Sequence, residues 1–237
     1  RLPRDENLAG LRDGAMIERT AHLRKDDAAY RRHVESTLAG EDVSEVCEIP
    51  LHDGRILTEG GRASGLLLRA PEAVQMLADD DELEPRGREA LVVEALSAAR
   101  RHDDPEVAVG AVRALRRREL FRTAAAELFG VAEVDDAGVA LSDIAAAAIT
   151  GALEIATRAV EARRGGPLPT RLLVVAMGRF GGGELGFASD ADVMFVHDPL
   201  PGADERDAHQ AALAVAEELR RLLMVPSPDP ALEVDAD

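Results

Sequence analysis

The sequence predicts an α+β protein, predominantly helical, with one small mixed sheet. Ala-rich stretches carrying many Arg and Glu fill residues 86–163, a composition suited to helices. Two short apolar runs, Leu172–Met177 and Val193–Val196, flank a glycine-rich loop and read as strands. Aromatics make up only 3% and Trp is absent, so Leu, Val and Ala have to fill the core.

In chain order, residues 1–65 carry the weakest pattern. Asp26–Leu38 has helical character, and Gly54, Gly60, Gly61 and Gly65 break up the stretch after it. Pro71 stands at the first position of a short helix over Glu72–Leu77. The acidic run Asp79-Asp80-Asp81-Glu82 reads as a solvated loop. Arg86–Arg101 is the first long helix. Asp103-Asp104-Pro105 is a start signal for the second, a capping carboxylate followed by Pro in the first turn. That helix is expected to reach Leu128 or Phe129 and stop at Gly130, with Leu120, Ala124 and Leu128 on one face. Ser142 is expected to open the third, which runs to about Arg163. Its two apolar lines, Ile144–Ala148–Ala152–Ile155 and Ile149–Leu153–Ala156–Val160, make an arc wide enough to be sandwiched between neighbours.

Arg163-Arg164-Gly165-Gly166-Pro167 ends that helix and forms a linker. Leu172–Met177 reads as a buried strand and Val193–Val196 as a second. Ala208, Ala212, Val215, Leu219 and Leu222 mark a helix, Pro226, Pro228 and Pro230 break it, and Leu232–Val234 begins a third strand. The expected organisation is a poorly defined segment 1–65, a helical domain 66–166, and a core 167–237 that is cut at its third strand. A chain that opens on Arg1 and ends at Asp237 reads as an excerpt of a longer protein.

The net charge of −17 argues against a general nucleic-acid binder, which needs a basic face for phosphates. Cys47 is the only cysteine, which excludes an internal disulfide and a cysteine zinc cluster and fits a reducing cytoplasm. No continuous apolar run approaches the ~18 residues of a membrane span, so no membrane partner is expected. Arg116-Arg117-Arg118 reads as a solvated helix face. His197-Asp198 reads as loop capping at a strand end, and the other histidines lack ligand spacing.

The chemistry concentrates in Met177-Gly178-Arg179-Phe180-Gly181-Gly182-Gly183-Glu184-Leu185-Gly186-Phe187-Ala188-Ser189-Asp190-Ala191-Asp192. Glycines let a backbone pass close to a ligand. A helical turn near Gly182–Leu185 would aim N–H groups at phosphate oxygens. Asp190 and Asp192, two apart on an extended segment, point to one face, while Ala191 and Val193 face the core. Two such carboxylates beside a glycine loop suit Mg²⁺, which takes a few carboxylates and completes its shell with substrate phosphates. The plainer alternative is a glycine turn joining two hairpin strands with solvated aspartates.

Gly178 followed by Asp190-x-Asp192 resembles the signature of the DNA polymerase β-like nucleotidyltransferase superfamily. The longer string, with Ala176-Met177-Gly178-Arg179-Phe180-Gly181-Gly182, Glu184-Leu185-Gly186-Phe187 and Ser189-Asp190-Ala191-Asp192-Val193-Met194-Phe195-Val196, is similar to the bifunctional glutamine synthetase adenylyltransferase/adenylyl-removing family. Phe187 departs from the family's commoner Tyr or Asn. Gly186-Phe187 and His197-Asp198 look more like the C-terminal, adenylylating copy of the domain. The likeness is read over residues 66–237, through Leu68–Glu72, Arg118–Ala125 and Val139–Asp143.

This resemblance implies a polymerase β-like nucleotidyltransferase core after a helical part. It implies a third carboxylate at Asp235, with Asp237 sharing its face. It implies Mg²⁺ at Asp190, Asp192 and Asp235, and ATP phosphates near Gly178, Arg179, Gly181, Gly182 and Ser189. The reaction implied is AMP transfer from ATP to a tyrosine hydroxyl of glutamine synthetase, with phosphorolytic removal in a paired domain and a PII signalling protein as a possible regulator. The alternatives are a uridylyltransferase of PII, whose loop has fewer glycines, and a fragment that binds a partner without catalysis.

Overall fold

A computed structural model describes residues 49–50, 56–57, 71–78 and 80–236. The helix expected over Asp26–Leu38, and Asp237, lie outside the described residues. Two compact units are present. One takes in the described residues up to Glu84 together with Phe121–Ala132, and the other comprises Pro85–Leu120 and Glu133–Asp237.

In the first unit, β1 (Ile49–Pro50) and β2 (Ile56–Leu57) pair antiparallel. Pro71–Ala78 is helical, as expected from Pro71, though of 3₁₀ type. The acidic run is not a loop: Asp80–Leu83 forms α1, a single turn whose Leu83 is buried while Asp81 and Glu82 face outward. Burial of Leu83 contributes about 1.5–3 kcal/mol to holding that turn in place.

The long helices follow the sequence pattern. They are α2 (Arg88–Arg100), α3 (Pro105–Phe129), which runs on from the second unit into the first, and α4 (Val134–Arg164). Asp104 caps α3, its Oδ1 accepting from the backbone N–H groups of Glu106 at 2.9 Å and Val107 at 3.0 Å. Gly130 ends it in the left-handed region that favours glycine. Helix α4 begins eight residues before Ser142. Ser142 is no cap: it is fully buried and its Oγ donates to the Gly138 carbonyl one turn back at 2.9 Å. Gly165, at φ 73°, closes α4, with its N–H directed at the Ala162 and Glu161 carbonyls.

Within the second unit α4 packs against α2 on one side and against α6 (Glu205–Met224) on another, which accounts for its wide apolar arc. Gly151 lets the helices close up, since a Cβ there would sit 3.0 Å from Val112 and 3.3 Å from the Ala95 carbonyl. By length and composition α4 could cross a membrane, although no continuous apolar run shows this; two thirds of its most apolar stretch is buried inside the protein.

The sheet has the order β3 (Thr170–Ala176), β4 (Ala191–Pro199), β5 (Val234–Asp235). β3 and β4 are antiparallel, with Ala176 opposite Val193; β4 and β5 are parallel, with Ala191 opposite Val234 and Asp192 opposite Asp235. Helix α6 makes the crossover from β4 to β5 and packs on β3 and β4. Strand β3 is not the buried strand its composition suggested. Among the described residues it pairs with β4 alone, and Leu173 is 61% exposed, as are Met194 and Val196 in part on β4. His197 and Asp198 lie inside β4 rather than in a capping loop. His197 Nδ1 sits 3.3 Å from Thr170 Oγ1, and its Nε2 sits 3.2 Å from His209 Nδ1 on α6.

Candidate active site

The glycine loop leaves β3 at Met177, whose N–H bonds the Asp192 carbonyl at 2.8 Å and prolongs the β3–β4 ladder. The chain then turns at once into α5 (Gly178–Gly181). The helical turn therefore falls four residues earlier than the sequence suggested. Gly178 has φ 50°, and a Cβ there would stand 2.5 Å from Asp192 Oδ2. Only glycine gives both the left-handed backbone and that closeness to the carboxylate. A Cβ on Gly181 would meet the Ala176 carbonyl at 2.7 Å. The N–H groups of Gly181 and Gly182 are taken up by the carbonyls of Met177 (2.7 Å) and Gly178 (3.0 Å).

The rest of the loop is held from within and from α4. Arg179 is exposed, and its Nε donates to the Glu184 carbonyl at 3.1 Å. Ser189 Oγ accepts from the Gly186 N–H at 3.0 Å, and the Ser189 N–H returns a bond to the Gly186 carbonyl at 3.1 Å. The buried Leu185 N–H donates to Ser142 Oγ at 3.3 Å. Gly138 passes so close that a Cβ would lie 3.3 Å from the Gly183 carbonyl. Phe180 and Leu185 anchor the loop in the core.

Asp190, Asp192 and Asp235 come together, each offering a carboxylate oxygen such that these oxygens all lie within 4.8 Å of one another. Ala191 and Val193 are buried, as the alternation required, which turns Asp192 to the open face. Asp235 reaches the group through the β4–β5 register, secured by the Ala191 N–H bond to the Glu233 carbonyl at 2.9 Å. Hard oxygen donors at this separation fit Mg²⁺, whose bonds of about 2.0–2.1 Å place two of its ligands roughly 3–4 Å apart. Asp190 and Asp235 are exposed and Asp192 is half-buried, so the group is open to a ligand.

The sequence missed what holds the segment that leads into β5. Arg116, Arg117 and Arg118 are no solvated face: Arg118 is half-buried and pairs with Glu94 at 2.9 Å and Glu119 at 2.8 Å, and Arg113, three residues before Arg116, joins Arg116 and Arg117 in the interior. Arg113 and Arg116 are buried, at 2% and 7% exposure, and Arg117 is nearly so. Arg113 donates to the carbonyls of Val225 and, at 2.6 Å, Asp229. Arg116 Nη1 donates to those of Pro230 and Ala231 at 3.1 and 3.2 Å. Arg117 pairs with the Asp229 carboxylate. Burial, with the neighbouring Arg113 cation adding to it, pushes the Arg116 guanidinium down to about 10, which leaves it charged at neutral pH. Its Nε is buried without a hydrogen-bond partner among the described residues. The available signal was the spacing of 113, 116 and 117 on one helix face, beside a proline-rich segment whose carbonyls needed donors.

The described residues thus define an α+β protein in which a mixed sheet gathers three carboxylates beside a glycine loop. Residues 54–237 match the family model described as glutamate-ammonia ligase adenylyltransferase, and the chain belongs to that family. Among curated proteins it is similar to the bifunctional glutamine synthetase adenylyltransferase/adenylyl-removing enzymes of Streptomyces avermitilis and Mycobacterium avium. Identity to the first is 50% over 200 residues, covering 77% of this chain and 20% of that protein. Identity to the second is 42% over 221 residues, covering 88% of this chain and 22% of that protein. The chain spans about a fifth of the length of these relatives. The likeness also extends further than residues 66–237: the family model starts at residue 54, and 88% coverage requires residues upstream of 66.

Proposed function

We propose that the chain forms part of an enzyme that transfers AMP from ATP to a tyrosine hydroxyl of glutamine synthetase, with Mg²⁺ held by Asp190, Asp192 and Asp235. The observation that carries this reading is the convergence of the three carboxylates beside Gly178. The family match and the names of the relatives support ATP and glutamine synthetase over the UTP and PII of a uridylyltransferase. The order of strand, glycine loop, paired aspartates and parallel third strand supports a polymerase β-like core. We assign the domain to the adenylylating copy in a cytoplasmic enzyme. Removal of AMP by phosphorolysis belongs to the paired domain of the whole protein, where PII is the candidate regulator.

Bound Mg²⁺ would lower the pKa of the attacking hydroxyl and offset charge at the α-phosphorus. The residues do the rest. Asp190, Asp192 and Asp235 fix the open face on which the triphosphate lies. Gly178 leaves room beside the Asp192 carboxylate, Gly181 and Gly182 let the loop fold back tightly at the edge of the phosphate path, and Arg179 supplies the positive charge that faces the leaving pyrophosphate. Ser189 holds the turn that presents Asp190. The tyrosine oxygen bonds to the α-phosphorus, the bond to the β-phosphate oxygen breaks, and the hydroxyl proton passes to solvent.

The test is transfer of labelled AMP to glutamine synthetase by the full-length enzyme carrying Asp190→Asn or Asp192→Asn. Loss of a direct ligand should exceed the roughly 10–100-fold that outer-shell changes produce. Transfer at the parental rate in both variants would sink the assignment.

A further inference from the structure

We infer that Arg113 and Arg116 are positioning residues for Asp235: they clamp the proline-rich leader of β5 and thereby set its register against Asp192. The link from register to metal affinity rests on the reading proposed above. The leader, Val225–Ala231, lies in no helix or strand, and Pro226, Pro228 and Pro230 have no N–H to offer a ladder. Four of its carbonyls accept instead from the Arg113 and Arg116 guanidinium groups, and Arg117 pins the Asp229 side chain.

The clamp matters because, among the described residues, β5 pairs with β4 at Val234 and Asp235, immediately after the leader. Side chains alternate with period two along a strand, so the leader's placement decides which of them faces Asp192. A slip of one residue would turn Asp235 towards the face where Val234 is now buried and bring the wrong side chain to Asp192. The last clamped carbonyl belongs to Ala231, four residues before Asp235, and Leu232 and Val234 between them are buried. Arg113 uses the two arms of its planar fork, Nη1 for Val225 and Nη2 for Asp229, while Arg116 serves both of its carbonyls through Nη1. Folding alone does not favour buried cations here, since apolar residues of similar volume are often as good or better. Arg116 contacts no carboxylate among the described residues, so its role is not that of an ion pair.

Two measurements on this chain test the inference with Arg116→Met, which keeps the bulk and removes the donors. The first is hydrogen exchange at the Ala191 amide, which reports the bond to the Glu233 carbonyl. The second is Mn²⁺ affinity. Ala191 exchange should accelerate, and the Mn²⁺ dissociation constant should rise about tenfold with unchanged stoichiometry. Arg116→Lys, which keeps the charge and one donor nitrogen on a differently shaped side chain, should fall between and serves if the Met variant does not fold. Ile155→Ala, a core truncation on α4, should lower stability without changing Mn²⁺ affinity. Parental protection at Ala191 in a folded Arg116 variant overturns the positioning role. Lost protection with unchanged Mn²⁺ affinity overturns the link to the metal. If the parental chain binds no Mn²⁺ while protection is lost in the variant, the metal reading fails and the positioning role stands.

Discussion

The two sides of the carboxylate site are held by opposite physical means. On the loop side, Gly178–Ser189 is seated by small, neutral groups: the Ser142 hydroxyl, the missing side chain of Gly138, and the buried Phe180 and Leu185. On the β5 side, the leader of Asp235 is seated by buried cations that reach across from α3. A loop rich in glycine can satisfy its own backbone, and it does so through Gly181, Gly182, Glu184 and Ser189. A proline-rich leader cannot, so its carbonyls need donors from elsewhere. The first side depends on closeness and the second on charge, and substitutions should separate them.

The largest effect is expected on the loop side, at Gly178. In Gly178→Ala the new Cβ would meet Asp192 Oδ2, and the backbone at φ 50° would be strained in addition. Gly202 is the comparator: its φ is 80°, and a Cβ there meets nothing within 4 Å among the described residues. Both alanine variants should lose about 1–2 kcal/mol of stability in denaturant titration, the left-handed backbone cost. Only Gly178→Ala should also lose AMP transfer, on the order of 100-fold, because Asp192 is displaced. Equal activity in the two variants would show that closeness to Asp192 does not matter.

The same contrast explains what could be read from the sequence. The loop side was legible because its determinants are local: strand, glycines and Asp-x-Asp lie within about twenty residues, and period two correctly sent Ala191 and Val193 inward. The helices were legible where a cap or stop is local, as at Asp104 and Gly130. The start of the third helix was misread, because Ser142 has the residue type of a cap but bonds back to Gly138 and across to Leu185, 43 residues away. The arginines failed for the same reason, since their partners lie more than a hundred residues on. Strand β3 was found in its place but its burial was misread, because a Leu/Val run does not reveal that one face is left uncovered by the described residues.

A smaller effect is expected from Ser142→Ala, which leaves the buried Leu185 N–H without its acceptor. Stranding such a donor should cost about 1–2 kcal/mol in urea titration. Exchange at the Leu185 amide should rise while the Ala191 amide, on the other side of the site, stays protected. If both amides respond together, the two anchorages are one cooperative unit and the contrast is lost.

The smallest effect concerns α6, the crossover that leads into β5. Glu218 on this helix is buried, accepts from Arg221 Nη2 at 2.9 Å, and lies 3.3 Å from Arg163 on α4; Arg221 also reaches Glu106 on α3 at 2.9 Å. The hydrogen bond from Arg221 is the main cause that holds the Glu218 carboxyl below its ordinary 4.5. The folded protein therefore binds that proton less readily than the unfolded chain. The stabilisation is complete above about pH 4.5 and is lost as pH falls from there through the depressed folded value. Arg163 and Arg221 are half-exposed, so the contribution should be only about 1 kcal/mol. Glu218→Gln should accordingly melt below the parental protein at pH 7, and the gap should begin to narrow as the pH falls below about 4.5 and close only below the depressed folded value. In metal-free protein, acid should then loosen the Ala191 amide before the Leu185 amide, because Ser142 carries no charge to lose. A gap that stays constant with pH would mean that packing of α6, and not the charge on Glu218, secures the β5 side.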